Sequence, residues 1–144
     1  MKGIKLILFF LLLTSIASAQ IDTNDLKTMS ARDLKRLGKN ALLQGDPNSA
    51  VIYYERAFRI NKADYSTQFQ LAESYRLTRN YTKAEQMYAM AYKSNPVKNA
   101  TALFYHGEML KAAQQYDKAK EDFLKFKKEY KGSDKVLKKF AGKA

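Results

Sequence analysis

Small and aromatic side chains recur along this chain with a period of 34 residues, in stretches at 31–64, 65–98 and, after one extra residue at Asn99, 100–133. A constant period of this length is typical of repeat architectures, in which each unit buries its apolar face by stacking on its neighbours. Position 8 of each stretch is small, position 20 is alanine and position 24 is aromatic: Gly38, Ala72 and Gly107; Ala50, Ala84 and Ala119; Tyr54, Tyr88 and Phe123.

Each unit is predicted to be a pair of antiparallel helices, because two helices pack closely only where side chains are small. Ser30 with Asp33 and Asp46 with Pro47 are helix-start signals, and Gly132 is a stop signal. The predicted helices are 31–44, 47–61, 65–79, 82–94, 100–114 and 117–131, with a further helical segment at 134–141 after a cap at Ser133.

At these and at further positions the chain resembles the tetratricopeptide repeat family. Position 7 carries leucine and position 27 carries alanine in the first two units (Leu37 and Leu71; Ala57 and Ala91), and Pro96 follows a helix end in the second. The resemblance covers residues 31–133. It implies an all-α array of three helix-turn-helix units, 31–64, 65–98 and 100–133, coiled into a right-handed superhelix.

The third unit departs from the family pattern at two places. Position 7 is His106 and position 27 is Phe126. A bulky ring at a close-contact point is expected to push the next helix outward. Residues 134–144 are therefore predicted to begin a capping helix and not a fourth regular repeat.

The first residues have the composition of a secretory signal peptide. A basic start (residues 1–5) and an apolar run (6–13) precede Ala17-Ser18-Ala19, which is a small-residue cleavage signature. The prediction is a signal peptide at 1–19 and a short linker at 20–30. The alternative is a membrane anchor, but the apolar run is shorter than the roughly 20 residues that span a bilayer. The chain is therefore predicted to be exported, periplasmic or associated with the outer membrane, with no transmembrane segment after cleavage.

The chain is basic and lacks cysteine: 26 Lys and Arg stand against 14 Asp and Glu, a net charge of +12. An exported chain rarely meets nucleic acid, and these lysines lack the arginine and aromatic clustering of a nucleic-acid face, so no nucleic-acid partner is predicted. Two interpretations stay open, a solvated lysine-rich face or attraction to an acidic protein or anionic envelope polymer.

The residues needed for catalysis are missing from the sequence. There is one histidine, His106, there is no cysteine to pair with it, and no glycine-rich phosphate loop occurs. His106 on a core-facing position is more often a buried neutral imidazole or a packing variant than a base. No catalytic residue, cofactor or metal site is predicted, and the chain is not expected to be an enzyme.

The resemblance implies a concave groove lined by the first helix of each unit, where partners dock as peptides or helices. Carried over by position, the predicted partner-binding residues have a basic end and two aromatic anchors: Arg32, Lys35, Lys39, Phe69, Glu73, Arg76, Phe104, Glu108 and Lys111. Phe69 and Phe104 could equally pack against neighbouring helices. Some family members clamp a partner's terminal carboxylate; here Lys35 fits that pattern, but Lys39, Gln70, Thr101 and Tyr105 depart from it.

An export signal before a short repeat array also resembles the amino-terminal part of envelope proteins in which such an array precedes a β-propeller and an OmpA-like domain. Those proteins are associated with gliding motility and type IX secretion. The function predicted is that of an exported, non-catalytic scaffold in a bacterial envelope assembly, which binds a peptide or helix of a partner protein. An acidic peptide or helix is one alternative for that partner. The alternative is a structural spacer or dimerisation segment whose basic carboxy-terminal helix contacts an anionic surface.

Overall fold

The computed structural model describes residues 23–142, so the predicted signal peptide and the start of the predicted linker lie outside the described residues. Within this range the chain is helical and contains no strand. The eight helices are α1 (Thr23–Thr28), α2 (Ala31–Leu43), α3 (Pro47–Ile60), α4 (Tyr65–Leu77), α5 (Tyr81–Ser94), α6 (Ala100–Ala112), α7 (Tyr116–Glu129) and α8 (Lys135–Phe140).

The helices from α2 to α7 form three hairpins that stack in chain order. Helix α2 packs on α3, α4 on α5 and α6 on α7, and the hairpins contact one another through α3 with α4 and α5 with α6. The six helices predicted from the repeat are confirmed, and their observed ends differ from the predicted ends by at most two residues. Each hairpin covers apolar surface of the next, as expected for a repeat array.

Small residues mark the crossing point within each hairpin. A Cβ built on Gly38 would lie 2.7 Å from the ring of Tyr54, and one on Gly107 would lie 2.8 Å from the ring of Phe123. In the second hairpin Ala72 and Tyr88 are fully buried at the same two positions. The small and aromatic residues at positions 8 and 24 therefore pack directly against each other, as the sequence predicted.

The turn between the two helices of each hairpin has the same backbone in all three units. Gly45, Arg79 and Gln114 stand at position 15 with φ of +75°, +61° and +61°. In each case the N–H of the following residue donates to a carbonyl five residues earlier, at 2.9, 2.8 and 2.9 Å. This is a Schellman-type helix end, which favours glycine at the left-handed position.

Helix starts are capped by side chains in the first two hairpins. Ser30 accepts a hydrogen bond from the Asp33 N–H at 3.2 Å, and Asp46 accepts one from Ser49 at 3.0 Å with proline at the first helical position. Both predicted caps are confirmed. Helices α6 and α7 have no side-chain cap bond, so the third hairpin lacks a stabilising feature that the first two possess.

Two predicted boundary signals were wrong. Helix α7 ends at Glu129, and Tyr130, which follows it, has an extended backbone. Gly132 lies beyond that end and packs against the Tyr130 ring, where a side chain would clash. The cap of α8 is Asp134 and not Ser133, since the Asp134 carboxylate accepts from the Leu137 N–H at 2.9 Å.

Short helices close both ends of the stack. Helix α1 falls in the predicted linker and was missed, because six residues carry too little periodicity to be recognised. Its Leu26 is buried against Leu34 and Ala57, and Arg56 donates to the Leu26 and Lys27 carbonyls. At the other end, α8 buries its Leu137 in a cluster with the fully buried Phe126.

Candidate functional site

A groove with a volume of about 500 Å³ crosses the first helix of each hairpin. Its lining combines apolar walls, neutral polar groups and two carboxylates. The residues come from α2 (Leu42), α4 (Phe69, Gln70, Glu73 and Leu77), α6 (Thr101 and Tyr105) and the carboxy-terminal segment (Tyr130, Ser133, Asp134 and Leu137). This volume lies within the range of ordinary ligand sites in proteins.

The two predicted aromatic anchors have different surroundings. Phe69 lines the groove and makes edge-to-face contacts with Tyr88 at 5.7 Å and Tyr105 at 6.2 Å between ring centroids. Phe104 packs on Phe126 at 5.4 Å and on Phe140 of α8 at 4.9 Å. Phe69 therefore presents apolar surface to the groove, whereas Phe104 mainly attaches α8 to the third hairpin.

Lys35, which matches the carboxylate-clamp pattern, forms an ion pair inside the protein. Its Nζ lies 2.6 Å from Asp64, whose side chain also caps α4 through Ser66 and accepts from the Thr67 hydroxyl at 2.8 Å. Burial alone would raise the pKa of Asp64, but the hydrogen bonds from Lys35, Thr67 and Ser66 outweigh it and lower the pKa. Lys35 thus joins the first hairpin to the second.

Glu73 and Arg76 also pair with each other, 2.7 Å apart. The Tyr88 hydroxyl donates to Glu73, and Arg76 lies over the Tyr105 ring at 5.3 Å. Burial, followed by the Glu73 charge, raises the pKa of Tyr88, so this phenol stays protonated as a donor. The charges of the middle helix therefore largely neutralise each other.

Of the predicted partner-binding residues, Phe69 and Glu73 line the groove and the others lie outside its lining. Arg32, Lys39 and Lys111 are exposed, and Lys111 lies 3.7 Å from Glu108. Glu108 borders a neighbouring cavity of about 340 Å³ that Arg76 and Phe104 also line. Contact between a partner and these side chains stays a prediction.

Sequence reasoning missed the carboxy-terminal wall of the groove. Leu137 stands where a fourth unit would have position 4, at the same register as Leu34 and Leu103, and this register is the signal that could have placed it. Leu77 was missed as well, although its side chain is 51% exposed in the groove. Leu77 adds to the apolar surface that Leu42 and Phe69 contribute to the groove lining.

His106 lies between two carboxylates at the interface of the second and third hairpins. Its Nδ1 is 2.5 Å from Asp122 and its Nε2 is 3.9 Å from Glu85. The ring is thus a polar link between helices, where sequence analysis expected a buried neutral ring or a packing variant. No group of three metal-ligating side chains occurs within residues 23–142. Across that same range, none of the helices has both the length and the apolar character needed to cross a bilayer.

Three stacked helical hairpins with a groove across their first helices define a helical-repeat protein. Family models described as tetratricopeptide repeat match residues 36–64, 66–96 and 101–133, one for each hairpin. The chain belongs to the tetratricopeptide repeat family. Comparison of the sequence with curated proteins gives no significant match.

Solved structures with the same fold are distant in sequence. The TPR domain of Arabidopsis OM64 superposes with a TM-score of 0.68 at 21% identity, covering 78% of this chain and 91% of that domain. The TPR2B domain in a pHsp70 complex of yeast Sti1 gives 0.68 at 16% identity, covering 78% and 94%. The second TPR of Spaghetti (RPAP3), bound to the HSP90 peptide SRMEEVD, gives 0.66 at 18% identity, covering 74% and 99%. At these identities the likeness establishes the fold.

Proposed function

We propose that this chain is a non-catalytic scaffold that binds a segment of another protein in the groove. The observation that carries the proposal is the groove itself, about 500 Å³ between the first helices of three hairpins, with Leu77 exposed and Phe69 half-buried in it. Phe69 and Leu77 are suited to act as anchors, since burial of apolar surface is the dominant favourable contribution in most protein–protein association. The Spaghetti domain, which has the same fold and is bound to a peptide, supports a peptide-binding role.

The proposed setting is the bacterial envelope. Support comes from the sequence of residues 1–19, which has the basic start, apolar run and small-residue cleavage site of an export signal. The scaffold would then connect components of an envelope assembly, with gliding motility and type IX secretion as the candidates. Expression of the full chain in a bacterium, periplasmic extraction and amino-terminal sequencing test this; cleavage before Gln20 is expected, and an intact Met1 in the cytoplasm would refute it.

The binding role is tested by placing a photo-crosslinking amino acid at Thr101, which lines the groove. Thr82, exposed on α5 and outside the groove, is the matched control because the same residue type is replaced. We expect one defined crosslinked partner with the probe at 101 and none with the probe at 82. Equal crosslinking at both sites, with unchanged helicity, would rule out the groove as the docking surface.

The lysine-rich end of the chain favours a second candidate, contact with an anionic surface. Lys120 and Lys127 on α7, and Lys139 on α8, are exposed and form no ion pair within residues 23–142. Each lysine near an anionic membrane contributes about 1 kcal/mol of attraction, which falls off within a Debye length. Sedimentation with anionic phospholipid vesicles tests this candidate: charge reversal at 120 and 127 should abolish salt-sensitive binding, and the same reversal at Lys62 should not.

A further inference from the structure

The charges that line the groove have the opposite sign to the charge of the whole chain. The protein carries a net charge of +12, yet the charged groups that line the groove among the described residues are the carboxylates of Glu73 and Asp134. Glu73 is already paired with Arg76. Asp134 is exposed at the rim and has no ion pair with a described residue, so its charge acts on whatever enters the groove.

Among the neutral polar groups on the groove surface, three that are partly buried have no hydrogen-bond partner among the described residues. The side chains of Gln70 and Thr101 and the hydroxyl of Tyr105 line the groove and form no hydrogen bond with any described residue. All three residues are half-buried. A docked peptide brings backbone N–H and C=O groups that need partners once water is removed. An amide and two hydroxyls can both donate and accept, which matches the two kinds of group in a peptide bond.

The walls supply the apolar part of the site. Leu42, Phe69, Leu77 and Leu137 surround the polar groups, and the space between them falls within the size range of ligand sites. A large apolar side chain of the partner would bury its surface here. A carboxylate would meet no cation among the described lining residues, since the neighbouring Arg76 is already paired with Glu73, and it would face the charge of Asp134.

We propose that the groove binds an internal segment of a partner protein, one that carries a large apolar side chain beside a lysine or arginine, and that it rejects a carboxy-terminal carboxylate. This specificity rests on the proposed function of the groove. It differs from the SRMEEVD peptide held by the Spaghetti domain, which is acidic and ends in aspartate. The lysines outside the groove attract acidic molecules at long range, but salt screens that attraction over about 8 Å at physiological ionic strength.

The experiment uses two libraries of displayed random 12-residue peptides. In the first library both ends of each peptide are fused to the display protein, and in the second the carboxy terminus of each peptide is free. The expected result is enrichment from the first library alone, with a large apolar residue next to Lys or Arg. Thr101→Trp, which fills the groove, should abolish binding, and Thr82→Trp should not. Enrichment of free carboxy termini or of acidic peptides would overturn this specificity while leaving the groove's binding role intact. Absence of enrichment from both libraries would remove the proposed function itself.

Asp134→Asn isolates the charge contribution. Asparagine is as good a helix cap as aspartate, so α8 is retained while the negative charge is lost. Asp46→Asn is the matched control, because Asp46 caps α3 outside the groove. A synthetic peptide from the enriched set should bind the Asp134→Asn variant about three- to fivefold more weakly, as for the loss of an exposed ion pair, and should bind the control unchanged. Equal affinity for both variants would overturn the preference for a basic residue.

Discussion

Glycine substituted at position 15 of the second and third hairpins is predicted to stabilise the protein. Arg79 and Gln114 occupy the left-handed backbone region with φ of +61°, where the first hairpin has Gly45 at +75°. A side chain at this position crowds its own backbone, and the penalty is about 1–2 kcal/mol. The Schellman hydrogen bonds are the same in all three hairpins, so substitution changes this penalty without changing the turn.

The magnitude follows from two opposing effects. Glycine relieves the crowding of about 1–2 kcal/mol but makes the unfolded chain more flexible, which costs roughly 0.5–1 kcal/mol. The net gain expected for Arg79→Gly is therefore about 0.5–1 kcal/mol, with a similar gain for Gln114→Gly. The two turns lie in different hairpins, so the gains should add in the double variant. The reverse change, Gly45→Ala, should lower the free energy of unfolding by a similar amount, about 0.5–1 kcal/mol.

The assay is urea unfolding followed by circular dichroism at 222 nm. Arg79→Ala is the matched control, since it removes the same exposed charge while keeping the strained Cβ, and it should leave the midpoint nearly unchanged. For a domain of this size a gain of about 1 kcal/mol raises Tm by roughly 4 °C. If Arg79→Ala stabilises as much as Arg79→Gly, charge and not backbone strain is responsible, and the reasoning is refuted.

Three further substitutions test the packing, a cap and an ion pair, each measured by urea unfolding. The backbone of Gln115, with φ −87° and ψ 63°, is close to that of the capping residue Asn80, with φ −85° and ψ 69°. Gln115→Asp should therefore cap α7 and raise the free energy of unfolding by about 1 kcal/mol. No gain would mean that α7 cannot be capped from this position. Gly38→Ala places a Cβ 2.7 Å from the Tyr54 ring and should cost about 1–3 kcal/mol; an unchanged midpoint would show that the ring moves aside freely. The pKa of Asp64 is lowered in the folded protein, so the stability it contributes is present above its unfolded pKa of about 3.9 and is lost as the pH falls through the lower folded value. The advantage of the wild type over Asp64→Asn should therefore be about 1 kcal/mol at pH 7 and should shrink below about pH 4, and a constant difference at every pH would contradict this.

The helices could be predicted because the repeat makes the same physical demand three times. Close helix crossings require small residues such as Gly38 and Gly107, and the neighbouring ring has to fill the space that they leave. Because the same packing requirement recurs in every hairpin, the residues that meet it recur at a regular spacing in the sequence. Ser30 and Asp46 were found for the same reason, since capping depends on residues only a few positions apart.

The state of the groove charges could not be predicted in the same way. Lys35 matches the position of a ligand-binding lysine, but Asp64, which caps the first helix of the next hairpin, lies within 2.6 Å of it. Glu73 and Arg76 likewise satisfy each other. A long charged side chain has many partners within reach, and the choice among them depends on how two hairpins sit together, which no local pattern encodes. The carboxy-terminal wall was missed because Asp134 and Leu137 follow the last unit, while Tyr130 and Ser133 stand at its end, away from the first-helix positions from which the groove was predicted.

These internal pairs determine which substitutions can report on binding. Lys35, a predicted groove residue, and Phe69, which lines the groove, both connect neighbouring hairpins, Lys35 through Asp64 and Phe69 through Tyr105. Replacing either of them would weaken stacking together with any docking, so a loss of partner capture would have two explanations. Thr101 lines the groove without a side-chain hydrogen bond to a described residue. A change there alters the docking surface while the contacts between hairpins stay in place, which is why the decisive experiments on this protein centre on Thr101.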